Sequence, residues 1–584
     1  MNTAQQLNLE KQRHSLAHVL AYAVKRLFPD VKIGIGPVTD TGFYYEFDID
    51  HKFTHEDLAN IESEMYEIID ENIPFTNIVI PKEQALQTLL QLGETYKTEL
   101  LNKIPDSEVS FYKTGDDFID LCRGPHVKST GELDHFKLTK ISKNYWMNDS
   151  SRPLLQRIQG VAFETKKKLN DYLENLKKLS EINSIIIAEK LNYLKLENEK
   201  DVSSPIWLKD GIILQQNLTR FLEEQMIEFE FQLMQPPWVT NKPAFLVEKF
   251  PEYIQTSQIK GTQNSKDVFY RNNLRSFLIE RAISDLSLDN AGEKINIGSV
   301  SKTFQGNLHN SNETKIEHLE DFLETTDAQV ISLVDKDNLK DSLTENIRLI
   351  GTSLKAFGFS QFKTILDIPD YQDLSKYIYD EKLWENSVSA LKELLIELKI
   401  PSRIREGKAD FYGPRLTVEV KDKYSRSWEI SSITLDPILP SKLLPENKSD
   451  KNPMFFIHTN IVINIERLID LLLEHGEGSL PLWLEPVQVE IIALESKFNH
   501  KAIKVLRELK KENLRVELNH NSTNPEAQIA ESMGRHTPYI VIIGEKEANT
   551  DSISIKANSQ DIGLMRIYEF VNKVEQEIAL ELDL

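Results

Sequence analysis

The 584-residue chain has one cysteine, Cys122. That excludes an intrachain disulfide and any site needing two thiolates, and makes a reducing cytoplasm the simplest location. No apolar run approaches the roughly 18 residues a membrane span requires, so no membrane partner is expected. Residues 1–13 lack both the apolar stretch of a signal peptide and the Arg-rich, acid-poor character of a transit peptide. Glycine is scarce, at 22 residues, and there is no repeat, low-complexity tract or Gly/Ser linker. Cations are also in short supply: 69 Lys and Arg stand against 91 Asp and Glu, a net charge of -22. Taken alone, that argues against a nucleic-acid partner, because such binding rests on basic surface. Local basic runs at Lys166–Lys168, Lys177–Lys178 and Lys501–Lys511 keep the question open, although each also reads as a solvated helix face.

What is present is ordinary globular material, 40% hydrophobic and 27% charged. At roughly 150 residues per domain the length allows three or four domains. The pattern predicts a helix over 14–28, with Leu16, Leu20 and Leu27 on one face and His14, Ala17, His18 and Ala21 on another. A strand at 43–47, a helix at 56–71, strands through 118–146 and helices from 160 to 194 follow. In the middle, helices are expected at 221–231, 319–349, 384–398 and 461–473, with strands at 411–420 and 425–435. These make an antiparallel sheet with helices packed on it. The last stretch alternates strands (487–494, 514–518, 539–543, 553–555) with helices (501–513, 525–533, 565–581), a mixed α/β domain.

His14 and His18, four residues apart, share a helix face. Cys122 and His126 are also four apart, but Pro125 opposes a helix there. Three imidazoles and one thiol support three readings: a four-ligand zinc set, a hydrolytic site whose imidazoles orient a water and exchange a proton near pH 7, or two unrelated pairs.

Arg13-His14-Ser15-Leu16-Ala17-His18, Gly34-Ile35-Gly36-Pro37, Gly42-Phe43-Tyr44-Tyr45 and Asp120-Leu121-Cys122-Arg123-Gly124-Pro125-His126 resemble, in order, the motifs of the threonyl-tRNA synthetase editing domain. Tyr145-Trp146 and Gln156-Arg157-Ile158 extend the likeness over about the first 180 residues. In that family the domain hydrolyses serine wrongly attached to threonine tRNA. One methyl group in a pocket is worth only about 1–3 kcal/mol, so a second site must supply the remaining discrimination. The resemblance implies catalytic roles for His14, His18, Lys97, Asp120, Cys122 and His126, with Tyr45 contacting substrate. Related alanine-type domains hold zinc with a comparable set, whereas threonine-type ones are described as using water and side chains. Zinc at His14, His18, Cys122 and His126 therefore stays open.

The resemblance continues through Phe411-Tyr412-Gly413-Pro414-Arg415, Leu435-Asp436, Phe456-Ile457-His458, Glu466-Arg467 and Leu482–Val489. It implies substrate contacts for Tyr412, Arg415 and Arg467. The family's ligase pocket holds zinc with one Cys and two His. Here His458 is a lone remnant, Gln329 stands at the other histidine position, and Cys122 is already placed elsewhere. Ser284 falls where an α-phosphate arginine is expected, near Arg281. Thr459 replaces an arginine, Ile463-Asn464 a Gly-Ser, and Glu429 and Thr434 two glutamines. In the last domain Glu547 fits an anticodon-reading residue, Lys556 replaces an arginine, losing its bidentate fork, and Ala530 replaces another. ATP and Mg are expected only if ligase activity survives.

The resemblance thus implies an α+β multidomain protein. It would have an editing domain (1–183), a degraded class II synthetase core of antiparallel sheet and helices with a helical connector (184–484), and a C-terminal mixed α/β anticodon-binding domain (485–584). The family's N-terminal ubiquitin-like domain is not expected. The favoured function is hydrolysis of mischarged Ser-tRNA(Thr), with tRNA(Thr) as partner and a homodimer through the class II core, Pro237 lying near its motif 1. A non-catalytic tRNA- or synthetase-binding regulator and an active ligase with an atypical pocket are the alternatives.

Overall fold

A computed structural model of the chain describes residues 3–39, 41–148, 152–181, 184–196, 205–240, 259–263, 266–270, 274–287, 294–304, 318–322, 324–422, 426–443, 453–519, 524–557 and 560–583. The chain forms two compact units, residues 1–180 and 181–584. Both mix helices with largely antiparallel sheets, in agreement with the α+β expectation. Among the described residues no helix is long and apolar enough to cross a membrane.

The first unit is organised around the helix Thr3–Leu27. Every side chain from Ser15 to Val24 is buried, because the helix Leu, Val and Ala residues pack on all sides against Phe43, Phe47, Ile61, Met65, Phe118 and Ile158. On the histidine-bearing face His18 is 2% exposed and His14 half-buried. One antiparallel sheet runs Lys32–Ile33, Gly42–Asp48, Leu154–Ala162, Phe136–Tyr145; the other runs Phe75–Pro81, Glu108–Thr114, Phe118–Leu121. Residues 160–162, expected to begin a helix, instead finish a strand. The helix Lys166–Glu181 starts after it.

The second unit contains an eight-stranded sheet in the order Gln232–Leu233, Lys294–Phe304, Glu324–Asp335, Met454–Val462, Ser427–Asp436, Arg415–Lys421, Phe362–Ile368, Ser402–Glu406. Neighbours are antiparallel except the pairs at the two edges, which are parallel. One face packs on the helices Lys209–Glu228, Leu339–Ala356, Glu381–Glu397 and Ile465–Gly476 through Leu218, Ile350, Leu391, Leu468 and their neighbours. Period-two alternation turns a mixed set to the opposite face: Ile297, Ile331, Leu333 and Phe456 pack there on the helix Leu274–Ser287, and the rest is polar. Ser299, Gln329, Asn460, Ser432 and Thr417 lie in register across five strands, and His458, Thr434, Arg415 and Asp367 form the next row. The helix expected over 319–349 is corrected here: 324–335 is a central strand, and only Leu339–Ala356 is helical.

The helix Ile465–Gly476 carries three buried acids at four-residue spacing. Glu466 accepts from the Thr326 amide at 2.7 Å, Asp470 from that of Leu319 at 3.0 Å, and Glu474 from that of Ser184 at 3.3 Å. Asn464 caps this helix by accepting from the Arg467 amide at 2.6 Å. The same unit ends in a five-stranded sheet, Val516–Leu518, Val489–Ala493, Tyr539–Ile543, Ser552–Ala557, Gln560–Arg566, flanked by Asn499–Lys511, Pro525–Gly534 and Ile567–Asp583. The last strand was not expected, and the final helix starts two residues later than its pattern suggested.

Candidate functional site

The central helix supplies His14 and His18. The strand Phe118–Leu121 supplies Asp120, and the turn that follows it supplies Cys122 and His126. That turn is tight: Gly124 has φ +67°, and a Cβ there would meet the Tyr112 hydroxyl at 2.4 Å, so only glycine fits. The Gly124 amide donates to Cys122 Sγ at 3.2 Å. Cys122 Sγ lies 3.2 Å from His14 Nε2 and 3.3 Å from His126 Nε2. One donor atom from each of His14, His18, Cys122 and His126 falls in a cluster whose members all lie within 4.8 Å of one another.

Ser15, to which the sequence reading gave no role, fixes one member of this cluster. Its hydroxyl donates to the Lys11 carbonyl at 2.9 Å and accepts from the Val127 amide at 3.1 Å. With its one proton committed, Oγ can only accept from His126 Nδ1, 3.1 Å away. His126 therefore carries its proton on Nδ1 and presents the Nε2 lone pair to the sulfur. His18 Nδ1 is buried without a hydrogen-bond partner.

Burial lowers the basicity of all three imidazoles. It holds His14 below the ordinary range and His18 well below it, and takes His126 down to about 2. The histidines are neutral at pH 7 rather than titrating there, which corrects the sequence-based expectation. Burial also pushes the Cys122 thiol up to about 11.

Beside the quartet, Asp120 receives Lys97 Nζ at 2.6 Å and the Tyr45 hydroxyl at 2.6 Å, and His18 Nε2 stands 3.6 Å from it. All four side chains are buried. Every residue named for the editing role thus falls in one cluster. Three neutral imidazole nitrogens and one sulfur converging at this spacing fit a tetrahedral N/S-ligated ion, and the partnerless His18 Nδ1 is the kind of buried atom such an ion satisfies.

The second candidate region is the polar sheet face. Arg415 pairs with the Glu429 carboxylate, and Arg467 Nη1 donates to the Glu429 carbonyl at 2.8 Å. Arg275 lies 3.5 Å from Asp410, which also accepts from Thr434 at 2.5 Å. His458 Nε2 is 3.0 Å from Asp436, whose carboxyl burial pushes up to about 8. The rings of Tyr412 and His458 are 5.1 Å apart, and Tyr412 Oη and His458 Nδ1 have no hydrogen-bond partner. Gln329 donates to Asp327 at 3.3 Å. Among the described residues the only metal-ligating group of three or more is the quartet of the first unit. The residues around His458 do not fit the zinc that the resemblance implies for this pocket. Ser284 falls inside the helix Leu274–Ser287, and its side chain lies outside the described residues. Thr459 turns to the helix side, donating to Asn346 at 2.8 Å.

In the C-terminal domain Glu547 is buried. Its carboxylate accepts from the Gly544 amide at 2.8 Å and the Ser554 hydroxyl at 2.6 Å. In this arrangement it braces its own turn. Lys556 is half-buried on the strand Ser552–Ala557, paired in register with Ile540.

Residues 109–159 match the family of the threonyl and alanyl tRNA synthetase second additional domain, and residues 488–577 match the anticodon-binding domain family. The chain is 31% identical to the threonine–tRNA ligase of Halalkalibacterium halodurans over 97% of its own length and 89% of that protein. It is 32% identical to that of a Sulfurihydrogenibium species over 98% and 89%. The chain belongs to the threonine–tRNA ligase family. The threonine–tRNA ligase fold is also evident in crystal structures. The RNA-binding domain of threonyl-tRNA synthetase from Cryptosporidium parvum superposes with a TM-score of 0.60 at 18% identity, covering 68% of this chain and 98% of that one. ThrRS-1 of Aeropyrum pernix gives 0.60 at 16% identity, covering 69% and 97%.

Proposed function

We propose that this member of the threonine–tRNA ligase family is an editing hydrolase that removes serine from mischarged tRNA(Thr), and that its ligase activity is lost. The observation that carries the reading is the convergence of His14, His18, Cys122 and His126 within 4.8 Å beside the Lys97–Asp120–Tyr45 group. The engagement of Arg415 and Arg467 by Glu429 supports the loss of ligation, because an incoming nucleotide phosphate would have to displace those contacts.

Hydrolysis adds water across the aminoacyl ester. Water oxygen bonds to the carbonyl carbon, the bond to the terminal ribose oxygen breaks, and that oxygen leaves with a proton. Of the three imidazoles, His14 is the base able to hold the proton the water gives up, since burial takes His126 down to about 2 and His18 well below its ordinary range. Asp120 orients Lys97, whose ammonium offers positive charge to the oxyanion that develops, and Tyr45 orients Asp120. His14, His18, Cys122 and His126 would hold a zinc ion, which would supply Lewis acidity to a water or ester oxygen only with one of the four displaced or an added fifth ligand. The His14 lone pair cannot serve both uses at once, so metal content distinguishes the two.

The functional division follows the residue ranges 1–183, 184–484 and 485–584, with the last recognising tRNA(Thr) in altered form. A homodimer through the core is supported by exposed Ile227, Leu233, Trp238 and Val239 beside Pro237.

The test is incubation of the purified protein with Ser-tRNA(Thr) and Thr-tRNA(Thr). Serine release with threonine spared is expected. Ser-tRNA(Thr) as long-lived as in buffer would refute the reading and favour a tRNA-binding regulator.

A further inference from the structure

Between 497 and 511 the chain places six Lys and Arg residues and one acid, Glu508, in a protein whose net charge is -22. The segment is helical over Asn499–Lys511. Ala502, Val505 and Leu509 are buried in the core of the last domain. His500, Lys504, Arg507 and Lys511 recur at spacings of four, three and four, which puts them in one stripe along the helix. All four are exposed, as are Lys497 just before the helix and Lys510 at its end. At 1.5 Å per residue the stripe is about 16 Å long.

Local acids do not neutralise it. Glu508 lies 3.7 Å from Lys504 and Glu495 lies 2.9 Å from Lys497. Arg507, Lys510 and Lys511 have no ion pair among the described residues. Lys501, on the flank, is held by the Thr550 carbonyl at 2.6 Å and takes no part. Glu508 and Glu495 leave Arg507, Lys510 and Lys511 uncompensated, so the face carries a net excess of positive charge.

We propose that this stripe docks the sugar–phosphate backbone of a tRNA stem. Long cationic side chains in a row suit phosphate contacts, which position a nucleic acid without reading its bases. A protein partner would require an apolar centre, and Ile503 is the one exposed large apolar residue on this helix. The anticodon-binding match, residues 488–577, spans the stripe. The inference rests on tRNA being the substrate, and it locates a surface that the sequence motifs of that domain do not include.

The test replaces Lys504, Arg507 and Lys511 together by glutamine in the full chain, exposed substitutions that keep helix propensity. Binding of a tRNA(Thr) transcript is measured between about 50 and 300 mM KCl. Each lost phosphate contact should lower the slope of log K against log salt by about 0.7–0.9, roughly two to three in all. Affinity near 150 mM should fall roughly 10- to 100-fold, and the KM for Ser-tRNA(Thr) should rise with kcat unchanged. A variant carrying Lys504→Arg, Arg507→Lys and Lys511→Arg should behave as the parent does. If the glutamine variant binds with the parental affinity and slope, the stripe is a solvated face and the proposal is overturned. If the parent chain binds tRNA but does not hydrolyse the ester, the deacylase reading fails while the stripe stands. If the parent chain binds no transcript even at the lowest salt, both fail.

Discussion

The cluster around Cys122 and the polar face of the central sheet are both buried and rich in hydrogen-bonding groups, yet their strong groups are used oppositely. In the first, imidazole nitrogens and a sulfur converge, and the Ser15 hydroxyl holds the His126 ring from behind. In the second, Arg415 and Arg467 contact Glu429, Arg275 meets Asp410, and His458 meets Asp436. Among the described residues, the buried atoms left without a hydrogen-bond partner there are His458 Nδ1 and Tyr412 Oη. A binding site keeps groups that the fold itself does not satisfy. By that criterion the two regions differ: donor atoms converge in one, and the charged groups are matched with one another in the other.

The widest separation expected is in activity. Threonine-dependent ATP–pyrophosphate exchange should be indistinguishable from a no-enzyme control, and robust exchange would erase the contrast. Next, His14→Ala and His18→Ala should each lower Ser-tRNA(Thr) hydrolysis by roughly two orders of magnitude or more. Because His18 is interior, circular dichroism must accompany the rate. Equal rates in parent and variants would move the chemistry elsewhere. A smaller loss, roughly 10-fold in rate or in metal affinity, is expected for Ser15→Ala, which frees His126 to change tautomer. Ser15→Thr should retain more of both.

The smallest effect sharpens the other side of the comparison. Asp436 holds its proton up to about pH 8 in the folded chain, against about 3.9 when unfolded. The folded state binds that proton more tightly, so the associated stability is complete below about pH 4 and is lost as pH rises through 8. Asp436→Asn keeps an acceptor for the Ile438 and Leu439 amides. It should flatten the fall of melting temperature between pH 5 and 9 and raise the alkaline value by a few degrees. Identical pH profiles would mean that this carboxyl titrates normally and that the pocket is less closed than described.

The mixed architecture was legible in the sequence because long periodic segments such as 381–397 and 499–511 state their type plainly. The quartet was legible because its four residues sit in short motifs. Residues 324–335 were misread because a short apolar run such as Val330-Ile331-Ser332-Leu333-Val334 suits helix or strand equally. Pairing with Lys294–Phe304 and Met454–Val462 decides it, and that information is distant in the chain. Ser15 was overlooked for the same reason: its three partners, Lys11, His126 and Val127, come from two segments more than a hundred residues apart. The low basicity of the histidines was hidden because it arises from burial against segments distant in the chain.

The three acids of the helix Ile465–Gly476 tie it to Thr326, Leu319 and Ser184, across separations of 140, 151 and 290 residues. No such link can close on a growing chain until residue 466 has left the ribosome. The long-range contacts of the Cys122 cluster, by contrast, span at most about 112 residues and lie wholly within the first 127. During synthesis from the N-terminus, the His–Cys quartet can assemble while most of the second unit is still to be translated. The sheet pocket is closed late and by distant parts of the chain, the order that loop-closure entropy favours. A chain stalled after the first unit would already contain every residue of the quartet and none of the pocket.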